Sequence, residues 1–356
     1  MKKFLLTFAL CFYTFTAQAM KVNSDLINEM LITLDTKHLF KVDNAQTITA
    51  GLQILHDLDP RFVVSAGTDR IYIYHNGKIT AIIPFPKDLN DTKTWSKNIV
   101  STLKSAGKMS EKIALRDFEL PDLMMKKMTE SLDNYSRYYS QFDYREDEKH
   151  NDFYTLYADR MIDDDILYLR VRIFNKQTAR KIRRSLKENP QAKAVILDLR
   201  GNSGGIFNEA LLTADLFTEG EIISYTAGRD NDDKNYYTSG DKSMFKGNLA
   251  ILVDGDTASA AEVLAAGLQD QSRATIIGTR TFGKGTIQDI FKLSNEGTVV
   301  LTTHQFFTPS GKAINKRGVM PNICTEYDRH DKCAREPRAD KEEDIITAVN
   351  YLHETM

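Results

Sequence analysis

An α/β layered core with central parallel strands, preceded by a smaller α+β region, is the fold class this sequence predicts. Three observations predict it. From Ile166 onward, short apolar runs alternate with segments of helical spacing. The runs Ala194-Val-Ile-Leu-Asp-Leu and Leu249-Ala-Ile-Leu-Val-Asp are nearly continuous in apolar residues, as strands buried on both faces are. Each ends in a turn of small or glycine residues that leads into a helix, and strand ends of this kind carry chemistry in α/β folds.

In chain order, residues 1–19 read as a secretory leader. Lys2 and Lys3 precede an apolar stretch, and Ala17-Gln18-Ala19 fits a cleavage site. The stretch is too short to span a bilayer, and no later segment is long enough, so no stable membrane insertion is expected. The expected location is an exported compartment, in style a bacterial periplasm. Residues 20–120 read as an α+β domain. Asp25–Leu34 and Ala45–Leu58 have helical spacing, and Arg70–Ile83 forms a hairpin turning at Asn76-Gly77. Residues 121–165 form a helical connector ending in an acidic stretch. Residues 166–356 form the layered core and close on a helix over Asp344–Leu352.

The core contains three segments that point to chemistry. Asp256-Thr-Ala-Ser-Ala-Ala-Glu262 places Ser259 at a helix N-terminus, where unpaired N–H groups make the surroundings electropositive. That suits a nucleophile, with the Ala260 N–H aimed at a developing oxyanion; this stretch taken alone favours a plain helix cap by Thr257 or Ser259. Arg200-Gly-Asn-Ser-Gly-Gly205 allows close backbone approach to a ligand, or is an ordinary strand-to-helix turn. Gly278-Thr-Arg-Thr-Phe-Gly-Lys-Gly-Thr286 resembles a phosphate-binding loop until Gly285, which stands where that motif needs a hydroxyl. Lys284 can instead be a base for the serine if it is neutral, or a plain surface lysine. Gln288, four residues on, would share its strand face and orient its amine.

Composition narrows the classes further. Forty-seven Lys and Arg stand against 49 Asp and Glu, a formal charge of −2 that becomes more negative once Lys2 and Lys3 are removed. No nucleic-acid footprint is present. The seven histidines are scattered, no zinc motif occurs, and no metal or organic cofactor is expected. Cys324 and Cys333 would close a short disulfide loop in an oxidising compartment; two free thiols are the alternative.

The three segments together resemble the C-terminal processing peptidase (carboxyl-terminal protease) family of Ser/Lys serine peptidases. Its D-L-R-x-N-x-G-G, S-A-S-A-S-E-like and T-F-G-K-G-x-x-Q runs stand here as DLRGNSGG (198–205), TASAAE (257–262) and TFGKGTIQ (281–288). Phe307-Thr-Pro-Ser-Gly-Lys, Gly318-Val-Met-Pro-Asn-Ile and Asp133-Asn-Tyr-Ser-Arg-Tyr resemble further family runs, so the likeness covers roughly residues 120–352. It implies a crotonase/ClpP-like layered core. It also implies Ser259 as nucleophile, Lys284 as base and Gln288 as its orienter. Gly205 and Ala260 become the oxyanion donors, and Asp270 an acidic group near the site. Protein or peptide substrates are implied, without a cofactor.

Departures from the family pattern matter too. Many members insert a PDZ domain where this chain has only residues 140–165, too few for a domain. Thr257 and Ala261 replace serines, and Asn322 replaces an aspartate. What stands in for the PDZ domain is open; an adaptor or self-association through residues 20–120 are the candidates. A non-catalytic binding module on the same fold, as in interphotoreceptor retinoid-binding repeats, is a rival of another class. An S-x-x-K hydrolase is a third, but tetrads such as Ser101–Lys104 and Ser239–Lys242 are common in a lysine-rich chain.

Overall fold

A computed structural model describes residues 23–143, 157–231, 233–330 and 332–356. The expected leader and most of the acidic stretch lie outside these residues. The chain divides into two compact units. The first comprises the residues up to Ile32, Asp43–Ser131 and Leu293–Gly297; the second comprises Thr33–Val42, Leu132–Lys292 and Thr298–Met356.

Helix α1 (Ser24–Lys37) contributes residues to both units. The first unit otherwise holds α2 (Asn44–Leu52), α3 (Ile54–Leu58), α4 (Thr92–Met109), α5 (Glu111–Ala114), α6 (Leu120–Glu130) and an antiparallel sheet, β1 (Phe62–Ala66), β2 (Arg70–His75) and β3 (Lys78–Pro84). The single helix expected over Ala45–Leu58 is two helices, meeting at Gln53. Asp43 caps α2 through the Gln46 N–H, and Asp91 caps α4 through the Thr94 N–H. Asn76 and Gly77 both take positive φ (50° and 74°), so they make the expected two-residue hairpin turn. The amphipathic α4 turns Trp95, Ile99 and Leu103 inward, all fully buried.

The second unit contains two sheets. One has six strands in the order β14-β11-β10-β7-β6-β5. These are β5 (Tyr157–Ile162), β6 (Ile166–Val171), β7 (Ala194–Asp198), β10 (Asn248–Val253), β11 (Thr275–Gly278) and β14 (Ile323–Cys324). All neighbours are parallel except β5 and β6. Alternation along each strand separates its two faces. Leu167, Leu169, Val195, Leu197, Ile251 and Val253 join one core with α7 (Thr178–Glu188), α8 (Phe207–Ala214) and α9 (Ala260–Asp270). Ile166, Ile196, Ala250 and Leu252 join the other with α10 (Glu342–Thr355). Helices on both faces of a parallel sheet are the layered α/β arrangement.

The second sheet runs β12 (Thr286–Lys292), β13 (Thr298–Phe307), β8 (Ile222–Ala227) and β9 (Asn235–Thr238), with β4 (Arg137–Tyr139) also paired to β13. It delivers Ile223 and Phe306 to the first core. No helix among the described residues is long and apolar enough to cross a membrane. A disulfide joins Cys324 to Cys333.

Candidate active site

The site is built where β7, β10 and β11 end. After β10, Asp254 is fully buried and accepts from the N–H groups of Gly201, Asp256, Thr257 and Arg338. Thr257 Oγ1 is held between the Leu199 carbonyl and the Asp254 carboxylate. This fixes the turn that leads into α9. Ser259 then takes φ 57° and ψ −123°, a conformation that costs a non-glycine residue about 1–3 kcal/mol. The surroundings hold it there. Its N–H donates to Glu262 Oε2 at 2.8 Å. Ser259 is the N-cap residue of α9 and forms a capping box with Glu262, so it holds the cap position weighed for it. The Ala260 N–H heads the first turn of α9, where a helix leaves its amides without intrahelical partners.

The glycine turn after β7 lies against Ser259. The Ala258 N–H donates to the Asn202 carbonyl, and buried Asn202 accepts from the Gly204 N–H. A Cβ on Gly204 would stand 2.8 Å from Ser259 Cβ and 3.1 Å from the Ala260 nitrogen. One on Gly205 would stand 2.3 Å from the Phe174 carbonyl oxygen. Phe174 pairs in parallel with Gly205 by bonding the Gly204 carbonyl and the Ile206 N–H. The Gly205 N–H therefore faces away from Phe174. Larger residues at either position would collide, so the glycines let two backbone segments close around Ser259.

Lys284 arrives on the loop after β11. A single carboxylate anchors that loop to Ser259. Glu262, fully buried, accepts at Oε2 from the N–H groups of both Ser259 and Lys284, each at 2.8 Å. At Oε1 it accepts from the Gly283 N–H at 2.6 Å and from Thr281 Oγ1. Burial pushes the Glu262 carboxyl above its usual range, against the opposing pull of these four donors. Sequence reasoning missed this residue. Its signal was present: Glu262 stands three after Ser259, the spacing of a capping box.

The Lys284 ammonium lies over the Tyr135 ring, 5.1 Å from its centroid. Tyr135 is set in turn by Asp133, which accepts its N–H and that of Ser136. Burial would raise the Asp133 carboxyl, but His38, Ser136 and these N–H groups outweigh it and hold it well below the usual carboxylate range.

Residues 165–325 match peptidase family S41. The match spans a little under half of the chain and contains Ser259, Lys284 and the glycine turn. Over 173 residues it is 38% identical to a carboxy-terminal-processing protease of Bartonella bacilliformis, covering 46% of this chain and 40% of that protein. Over 161 residues it is 35% identical to a carboxyl-terminal-processing protease of Synechocystis, covering 45% and 38%. The chain thus spans well under half the length of these curated relatives. Among solved structures, a lipoprotein from Streptococcus agalactiae superposes with a TM-score of 0.52 at 14% identity, covering 90% of this chain and all of that one. That likeness is one of fold.

Other expected residues of the S41 domain stand elsewhere. Gln288 does not reach Lys284 by strand alternation. Lys284 precedes β12, and beside Gln288 the β12–β13 ladder carries an extra β13 residue, Thr303. The Gln288 NH₂ group donates to Thr286 and Thr302. Asp270 ends α9, whereas Ser259 begins it, about 16 Å away along the axis. There it receives the Ser310 N–H and faces Lys312 at 3.6 Å, so it anchors the loop after β13. Behind the strand ends, Arg200 is 1% exposed and pairs with Asp198 and Asp344. Among the described residues, no group of three or more His, Cys, Asp or Glu is placed to hold a metal ion.

Proposed function

We propose that the chain is an exported serine endopeptidase of the C-terminal processing type. Ser259 is its nucleophile and Lys284 its base. Neutral Lys284 takes the Ser259 proton as the hydroxyl oxygen attacks a peptide carbonyl. The N–H groups of Gly205 and Ala260 receive the oxyanion. Lys284 returns the proton to the leaving amine, and water then hydrolyses the acyl-enzyme. Gln288 and Asp270 support the site from farther out, Gln288 through β12 and Asp270 through the loop after β13. The observation that carries this reading is the Glu262 carboxylate, which binds the backbones of Ser259 and Lys284 through one oxygen. Substrates are proteins or peptides, as the names of the curated relatives suggest. The first unit, built mainly from Asp43–Ser131, self-associates or binds an adaptor, and the second is the catalytic one.

One observation favours a second reading, a latent resting site. Among the described residues no hydrogen bond joins Ser259 Oγ to Lys284 Nζ, and the ammonium rests on Tyr135. A trigger would then move it to Ser259. The test is to incubate the full chain and its Ser259→Ala variant with an unfolded protein and to read the products by mass spectrometry. Cleavage by the wild type alone is expected. Equal cleavage by both would overturn the nucleophile, and cleavage by neither would favour the latent site.

A further inference from the structure

Beside the lysine loop lies a cavity of about 810 Å³ with a marked excess of positive charge. Arg280, Lys312, Lys316 and Arg317 line it, and its one lining acid, Asp270, already faces Lys312 and the Ser310 N–H. Arg280 is the informative member. It stands four residues before Lys284, its side chain is partly buried, and its Nε is shielded from solvent without a hydrogen-bond partner. A buried guanidinium nitrogen left unpaired is costly, which leaves the remaining guanidinium donors to meet a ligand in the cavity. A second guanidinium crowds the first. Arg335 donates to the carbonyls of Lys316 and Arg317 on the cavity wall. Burial, and then the charge of Arg280, pull Arg335 below the usual arginine range. Like charge here, only partly offset by Glu262, favours an anion beside Arg280. The cavity wall packs against the lysine loop: the Val319 carbonyl accepts the Thr281 N–H, and the Lys316 N–H donates to the Gly283 carbonyl. Ala266, Ile314 and Met320 add apolar surface that a free inorganic anion would not use and a peptide would.

We propose that this cavity binds a carboxylate of the peptide presented to Ser259, either the peptide's terminal carboxylate or an acidic side chain close to it. A guanidinium fork matches a planar carboxylate in two parallel hydrogen bonds. The site would let the catalytic unit itself read the end of a chain. The identity of the ligand as a substrate rests on the peptidase reading; its binding does not.

The test titrates the full-length Ser259→Ala chain, which cannot turn substrate over, into fluorescein-labelled decapeptides of alanine, serine and leucine, followed by anisotropy. Four peptides are compared: a free C-terminal acid, its C-terminal amide, and that amide with penultimate Asp or Asn. The free acid, or the Asp peptide, is expected to bind at least about fivefold more tightly than its uncharged counterpart, and which of the two does so identifies the source of the carboxylate. Arg280→Gln should remove most of that preference, and the exposed Arg317→Gln should at least halve it while leaving the fold untouched. Equal binding of all four peptides, or no binding, overturns the proposal. So does a preference that survives intact in both variants. If wild type and Ser259→Ala cleave equally in the earlier assay while the preference holds here, the peptidase reading fails and the carboxylate site stands.

Discussion

A lysine can accept the proton of a serine hydroxyl only while its amine is neutral, and an arginine never meets that condition near neutral pH. Lys284→Arg should therefore abolish cleavage while thermal unfolding stays close to wild type. An active Lys284→Arg chain would remove Lys284 from the role of base. Glu262 makes a sharper test of how the residues are held. Its two oxygens accept from four donors, so a glutamine there would turn an NH₂ group against an N–H or hydroxyl donor. Glu262→Gln should cost about 1–3 kcal/mol of stability in urea unfolding and reduce cleavage together with it. Unchanged stability would mean that the carboxylate does not clamp Ser259 to Lys284.

At the scale of elements, the site depends on where strands stop. β7 and β10 lie in register as parallel neighbours, so their ends bring the glycine turn and the Ser259 turn to the same edge. β11 sends its loop to that edge as well, and β14 pairs beside it. The Cys324–Cys333 disulfide closes a short excursion immediately after β14. A link across a loop of this length stabilises by about 2–3 kcal/mol through the entropy it removes from the unfolded chain. The double variant Cys324→Ser/Cys333→Ser should lose about that much in urea unfolding under oxidising conditions. A reduced wild type should match the variant, and a wild type indifferent to reductant would contradict the role.

Across the whole catalytic unit, a buried ion network ties the far end of the chain to the central sheet. Arg200 bonds both oxygens of Asp198 at the end of β7, and also Asp344 in the first turn of α10 and the Arg338 carbonyl. Arg338 bonds Asp344 from the other side. Removing Arg200 leaves two fully buried carboxylates without that partner. Arg200→Met should therefore destabilise by about 3–5 kcal/mol, read as a lower urea midpoint. A loss under about 1 kcal/mol would mean that the network relaxes and is not needed to seat α10.

Strand-and-helix alternation, the glycine and small-residue turns, and the run around Lys284 were legible in the sequence because each is local. Backbone period, turn chemistry and short motifs are written in neighbouring residues. By itself the sequence determined the layered class, the strands β6, β7 and β10, the helix after Ser259 and the residues worth testing. Only the tertiary structure decided that Glu262 reaches Ser259 and Lys284 together, that Tyr135 lies under the lysine, and that Asp270 serves a distant loop. It also decided that the Gln288 NH₂ group turns to Thr286 and Thr302, where the β12–β13 ladder carries an extra β13 residue. Those facts depend on segments far apart in the chain meeting at strand ends, and on one extra residue in a ladder, neither of which has a local signature.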